Sequence, residues 1–400
     1  MRPSTAKALA CALLCAAPAS AQDAAPETAA TRPLEATAAQ PRRAEEPASP
    51  FVVSSGHASL TLTGYVEALY QWNFNNPDNG VTAWRGFDDR HNTVTLSNVA
   101  LGASWRYRVM FGRLTLQVGH TPESYYAGEP ARRAEGGAGA TGPDVWKHVQ
   151  QAVVGARAGA WSVEAGVFLS PIGPESMAVR DNWNWSRSNL FYGLPYYHTG
   201  ALVTYSVNPR HALAFGVFNG WNSVVDNNVA KSVMLQYTYA PSADLTLAAL
   251  YFGGIERDRA DVAGVAWRSL FDVYVRARVG RRVTLMLHAN AGFEPNDLGV
   301  NRWAAVAAYA RFELTDVLRL ALRADFFDEG APDGGRRIFW AADWMASQTA
   351  TLEYAPFEHL SVRAEYRHDH AGGLVFFEGA AATATASSQD TATLGVAAGF

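Results

Sequence analysis

The sequence predicts an all-β fold: a transmembrane, antiparallel, up-and-down β-barrel of about sixteen strands, bounded at roughly 14 and 18. Three observations lead there. Apolar and polar residues alternate with period two from Ala58 to the final Phe400. The links between these stretches alternate between short and long. The composition is 48% hydrophobic but only 18% charged, against about 25% charged in ordinary soluble domains. No apolar run of about 20 residues follows the first twenty positions, which argues against a bundle of membrane-spanning helices. Lysine occurs only at Lys7, Lys147 and Lys231, so a basic nucleic-acid binder is excluded and no nucleic-acid partner is expected.

The first element is an address. Arg2 and Lys7 precede the apolar run Ala8 to Ala17, and Ala19, Ser20 and Ala21 follow Pro18. That is the layout of a secretory signal peptide over residues 1–21, too short to span a bilayer as a helix. Both cysteines, Cys11 and Cys15, fall inside it, so the mature chain offers no thiolate for a disulfide, a metal or a nucleophile. Residues 22–57 are read as a disordered tail. Most of it is rich in Ala, Pro and Glu and nearly free of large apolar side chains.

Strands fill residues 58–400. Leu60, Leu62, Val66, Ala68, Tyr70 and Trp72 share one face of the first, and Thr61, Thr63, Tyr65, Glu67 and Gln71 the other. Three later strands interleave charge with an unbroken apolar face. Phe271, Val273 and Val275 alternate with Asp272, Arg276 and Arg278. Leu318, Leu320 and Leu322 alternate with Arg319, Arg323 and Asp325. Val362, Ala364 and Tyr366 alternate with Arg363, Glu365 and Arg367. A charge-free face suits lipid, where an arginine at mid-depth costs about 2–4 kcal/mol. Between Leu96 and Val99 the apolar phase slips, which implies a bulge. The Ala-rich stretch from Asn301 to Phe312 leaves its register open.

Short links are expected near 107–112, 158–160, 208–210, 240–244, 280–282, 313–317 and 355–359. Long ones are expected near 74–91, 121–147, 170–197, 221–230, 253–265, 293–301, 328–346 and 369–388. Tight turns at one rim and long loops at the other describe an outer-membrane barrel of a Gram-negative bacterium with both termini in the periplasm. The last strand sets Asp390, Ala392, Leu394, Val396, Ala398 and Phe400 on one face. A terminal aromatic in that setting resembles the carboxy-terminal signal read by the barrel assembly machinery, which makes Phe400 the assembly signal and that machinery a partner.

The third long link carries a second likeness. Gly166-Val-Phe-Leu-Ser-Pro-Ile-Gly-Pro-Glu175 precedes Ser186-Arg187-Ser188 and Pro195-Tyr-Tyr-His-Thr-Gly200. In this the chain resembles the OmpL-like family of outer-membrane β-barrel porins, over roughly residues 58–400. The resemblance implies a porin-like channel and a location, without naming a solute.

Pro and Gly in that link set turns that could fold it inward. Trp183 and Trp185 would then anchor it on the wall and leave Glu175, Arg180, Asp181 and Arg187 near the pore axis as a charged constriction. A hydrated surface loop, or a plug held by Arg–carboxylate pairs, is the alternative. The wet-face residues Arg276, Arg278, Arg319, Arg323, Asp325, Arg363, Glu365 and Arg367 are read as lumen charges, slightly basic in balance. They either favour anions or merely brace the wall by cross-strand pairing. The expected function is passive diffusion of ions or small polar solutes. The alternatives are a non-conducting structural barrel and, more remotely, an outer-membrane lipase or protease, for which His198, His368 and His370 are the candidate bases. No cofactor, metal or catalytic residue is indicated. Lipopolysaccharide and phospholipid are the expected surroundings. A homotrimer is usual for general porins of this strand number, although no trimer signature is present.

Overall fold

Period-two alternation forces each strand to put one face in lipid and one in the lumen, and closure satisfies the backbone groups that an open sheet edge would leave bare in hydrocarbon. The computed structural model describes residues 51–129, 143–226, 228–257 and 263–400. The signal peptide, most of the expected tail and parts of three loops lie outside these residues.

Seventeen strands run in chain order among the described residues. They are β1 (Val52–Ser55), β2 (Ala58–Asn73), β3 (Thr93–Tyr107), β4 (Met110–Val118), β5 (Val149–Ala158), β6 (Trp161–Leu169), β7 (Tyr197–Asn208), β8 (His211–Phe218) and β9 (Ser232–Ser242). They continue as β10 (Leu245–Ile255), β11 (Trp267–Val279), β12 (Val283–Asn296), β13 (Gly299–Glu313), β14 (Leu318–Gly330), β15 (Trp344–Phe357), β16 (Leu360–Ala371) and β17 (Ser388–Gly399). Short helices α1 (His120–Tyr126), α2 (Pro143–Trp146) and α3 (Asn189–Tyr192) lie in loops.

Each strand from β2 onward pairs antiparallel with the next, and β17 returns to β2 with Gly399 opposite Tyr65. The result is a closed barrel of sixteen strands, β2–β17. At the seam Phe400 N donates to Gly64 O (2.9 Å) and Gly64 N to Phe400 O (3.2 Å). The Phe400 ring lies over Gly64, where a Cβ would come within 2.7 Å of it. Strand β1 is a correction to the sequence reading. Val52–Ser55 fell within the expected tail, but they pair with β2 from Ala58 to Thr61, beyond the reach of β17.

The faces sort as the alternation requires. Along β11, Phe271 and Val273 are exposed to the surroundings, while Asp272 and Tyr274 are buried inside. Outward aromatics flank the apolar band: Tyr251 with Phe271 and Phe326 with Trp344 near the loop rim, Trp161 with Tyr205 near the turn rim. The phase slip in β3 is a bulge: Asn98 pairs with Glu67 but Leu96 with Ala68, leaving Ser97 extra. The Ala-rich strand settles as β13, with Trp303, Ala305, Ala307 and Tyr309 inside.

Tight turns close one rim, helped by left-handed glycines such as Gly159 (φ +55°) and Gly280 (φ +67°). One long link was misjudged. The connection expected over 293–301 is only Asp297–Leu298, because β12 and β13 keep pairing through Pro295–Val300 and Asn296–Gly299. Near the loop rim the lumen is packed with buried apolar side chains, among them Phe168, Phe218, Met234, Phe252, Leu270, Phe327, Trp340 and Phe376.

Candidate functional site

The link between β6 and β7, residues 170–196, folds into the lumen. Its shape begins with short-range polar contacts. Ser176 N donates to Asn182 Oδ1 (2.7 Å), and Asn182 Nδ2 returns to Ser176 O (2.8 Å). Ser188 Oγ caps α3 through Phe191 N (3.2 Å), and Ser188 N donates to Glu175 Oε1 (3.1 Å). Arg187 points into the loop itself. It donates to the carbonyls of Ser176 (3.1 Å), Trp185 (2.7 Å) and Met177, and its guanidinium lies 5.2 Å from the Phe87 ring centroid.

The wall of β14–β16 then clamps the loop. Glu365 accepts from the backbone N–H groups of Trp185 (2.6 Å) and Ser186 (3.0 Å). Arg323 donates to Ser186 O (2.5 Å) and Thr349 Oγ1 (3.0 Å), and sits 3.3 Å from both Glu175 and Asp325. Arg363 joins Val179 O (2.7 Å) to Glu353 (2.8 Å). Arg367 joins Arg187 O (2.5 Å) to Asp369 (2.6 Å), and Asp325 accepts from Asn189 N (3.1 Å). These side chains are almost wholly buried, and the guanidinium groups of Arg323, Arg363 and Arg367 each have a carboxylate beside them, as the desolvation of isolated charge demands.

The link between β2 and β3, residues 74–92, enters from the same side. Its Arg85 bridges Asp88 and Asp369, the latter at 2.8 Å. Burial works against the charged form of Asp88, but the adjacent Arg85 holds its carboxyl below the usual range. Trp185 is 1% exposed and seated on Gly395, whose missing side chain makes its place. Trp183 meets Tyr309 edge-on at 6.3 Å.

Of the residues singled out from the sequence, Arg323, Asp325, Arg363, Glu365 and Arg367 are thus joined to the loop. Arg319 pairs near the turn rim with Glu313 (2.9 Å) and Glu353 (3.2 Å), and Arg278 lies 4.0 Å from Asp244. Arg276 faces open lumen. So do Glu175, Arg180 and Asp181, whereas Arg187 does not. Arg180 is stacked 4.7 Å from the Tyr65 centroid, 3.8 Å from Asp181.

The open lumen is a cavity of about 630 Å³, running from Ser59 and Arg108 at the turn rim to Pro195 and Tyr196 beneath the aromatic packing. Its wall also holds Arg106, Arg113, Arg157 and Glu164. Arg106 was missed because the Ser97 bulge inverts the phase. Counted from Asn98 it falls on the inner face.

The histidines are placed apart from this cavity's charges. His198 meets Ser170 Oγ (3.0 Å), but it is fully buried and stacked on Phe218. His368 pairs with Asp390 (2.9 Å) on the outward face. Among the described residues no group of three or more His, Cys, Asp or Glu is arranged to hold a metal.

A model of the family described as "Putative beta-barrel porin-2, OmpL-like" matches residues 59–400. The chain belongs to that family. An OmpL-like porin with this closed barrel is a channel-type protein of the outer membrane. No curated protein matches the sequence. Among solved structures, OmpT of Vibrio cholerae aligns with a TM-score of 0.58 at 11% identity, over 87% of this chain and 99% of that one. The anion-selective porin of Comamonas acidovorans aligns at 0.55 and 12%, over 86% and 100%. Salmonella typhi OmpF, solved with daunomycin, aligns at 0.53 and 14%, over 88% and 100%. At such identities these likenesses speak for the fold.

Proposed function

We propose that this OmpL-like barrel is a passive channel for small polar solutes that prefers anions, with its termini and short turns in the periplasm. The observation that carries the reading is the charge of the open lumen. Arg106, Arg108, Arg113, Arg157, Arg180 and Arg276 line it against only Glu164, Glu175 and Asp181. All three of those carboxylates are already paired, Glu164 with Arg113, Glu175 with Arg323 and Asp181 with Arg180. Field lines inside a low-dielectric wall concentrate counter-ions, here anions. The fold shared with an anion-selective porin agrees with this.

In this reading Glu175, Arg180 and Asp181 form the charged edge of the constriction, Arg187 is the strut that holds the loop's shape, and Trp185 anchors it. Lipopolysaccharide and phospholipid surround the barrel, and Phe400 engages the assembly machinery. A homotrimer is supported by the trimer form of Vibrio cholerae OmpT.

The test is planar-bilayer conductance under a salt gradient. Discrete steps with a reversal potential of anionic sign are expected, and neutralising Arg180 and Arg276 together should move it toward zero. A cationic sign overturns the selectivity. Absence of steps overturns the channel and favours a structural barrel, the reading that the aromatic packing beneath the loop rim supports.

A further inference from the structure

Strand register brings an aromatic ring and three arginines together on the inner wall of β3–β6. Arg106 stands directly opposite Phe111, Phe111 opposite Gly155, and Gly155 opposite Glu164. Arg113 is two residues along β4 from Phe111, and Arg157 two along β5 from Gly155, so both share its face. Diagonal neighbours of this kind lie about 7–8 Å apart, within reach of long side chains. Gly155 is the floor: a Cβ there would lie 2.4 Å from Phe111 Cζ, so the ring lies against bare backbone. The Arg157 guanidinium is 5.7 Å from the ring centroid. Arg113 is engaged by Glu164 at 3.0 Å. Arg106 and Arg157 have no carboxylate partner among the described residues, and both border the cavity.

We propose that this patch binds planar organic anions, aromatic carboxylates above all, with the ring of the solute against Phe111 and its carboxylate between Arg106 and Arg157. The proposal rests on the reading of the lumen as a solute path and names the solute class it favours. Guanidinium groups take carboxylates in a two-pronged fashion and stack on aromatic faces, so one flat anion meets both demands of the site. An inorganic anion uses the charge and leaves the ring idle. A neutral sugar leaves two unpaired guanidinium groups unserved, and a cation is repelled.

Benzoate binding to the refolded full-length barrel in detergent, by equilibrium dialysis, tests this independently of conductance. Saturable benzoate binding is expected, with acetate and benzyl alcohol each weaker by about tenfold or more. Arg157→Gln and Phe111→Leu should each weaken benzoate by a similar factor. Arg106→Gln serves as a second charge variant, since its removal breaks no ion pair. Equal affinity for benzoate and acetate, or benzoate binding unmoved by these variants, overturns the proposal even if bilayers show anion-selective steps. Saturable binding in a barrel that never conducts overturns the channel reading and leaves the site standing.

Discussion

The inward loop makes a demand on one glycine that can be tested without touching a charge. Gly395 of β17 lies beneath Trp185, and a Cβ there would fall 2.2 Å from Cε3 and Cζ3 and 2.6 Å from Cη2. Ordinary contact needs at least 3.4 Å, so Gly395→Ala forces the indole back by more than an ångström. The indole cannot swing freely. The Trp185 backbone that carries it is pinned: its N–H donates to Glu365 at 2.6 Å, its carbonyl accepts from Arg187 at 2.7 Å, and the carbonyl of Ser186 accepts from Arg323 at 2.5 Å. Overpacking of a fixed interior costs about 1–3 kcal/mol. Urea unfolding of the barrel refolded in lipid should therefore show a lower midpoint for Gly395→Ala. Single-channel conductance should change with it, because the loop is displaced toward the cavity. Adding Trp185→Phe, a smaller ring, should restore most of both. An alanine variant with the midpoint and conductance of the parent would refute the idea that Trp185 on Gly395 seats the loop.

Removal of Arg323 as Arg323→Met leaves Glu175 and Asp325 buried without their guanidinium; breaking such a pair costs about 3–5 kcal/mol, and protease should then cut the 170–196 loop in the refolded barrel. Trp340→Ala opens the packing of Phe327 and Tyr192 about it (ring centroids 5.8 Å away in each case), and bilayer steps should become larger or more frequent. Phe400→Ala removes the ring that covers Gly64 and meets Phe51 at 5.4 Å, so folding yield into vesicles should fall. Glu129, in the link after β4, accepts from Val224 N (2.8 Å), Val225 N (3.1 Å) and Tyr197, and burial raises its pKa above the ordinary value despite these donors. A raised folded pKa gives stability that is complete below the unfolded value of about 4.3 and is lost as pH rises through the folded one. Protection of this loop from protease should accordingly decline with rising pH over that window, and Glu129→Gln should flatten the dependence.

How much of this could be read from the chain depends on the range of the interaction. Strand existence and facing are local, so Phe271 against Asp272 already declared which side was lipid. The bulge at Ser97 was legible because it breaks a local rule. The two-residue turn at Asp297–Leu298 was not, since Pro295 and the polar residues around it read as loop while cross-strand pairing keeps them in β12 and β13. Strand β1 was hidden for the same reason: four residues become a strand only because β17 stops short of the start of β2. The lumen arginines could be named, but not their uses. That Arg323 and Arg367 hold loop carbonyls while Arg276 faces a cavity follows from a fold-back 137 to 180 residues distant in sequence. No periodicity encodes it.

This division of the arginines bears on selectivity. A basic wall face was read as either a selecting field or a brace, and the two roles fall on different strands of the same barrel. On β14–β16 each buried guanidinium is saturated by carboxylates and by the carbonyls of the loop, so its charge is locally cancelled and it serves rigidity. On β3, β5 and β11, Arg106, Arg157 and Arg276 line the open cavity and have no carboxylate partner among the described residues. Selectivity should therefore respond to substitutions on the unclamped side and stability to those on the clamped side. If Arg276→Gln lowered the unfolding midpoint as much as Arg323→Met while leaving the reversal potential fixed, the separation of roles would fail. The asymmetry follows from one feature of the chain, the commitment of Arg323, Asp325, Arg363, Glu365 and Arg367 to holding a single loop.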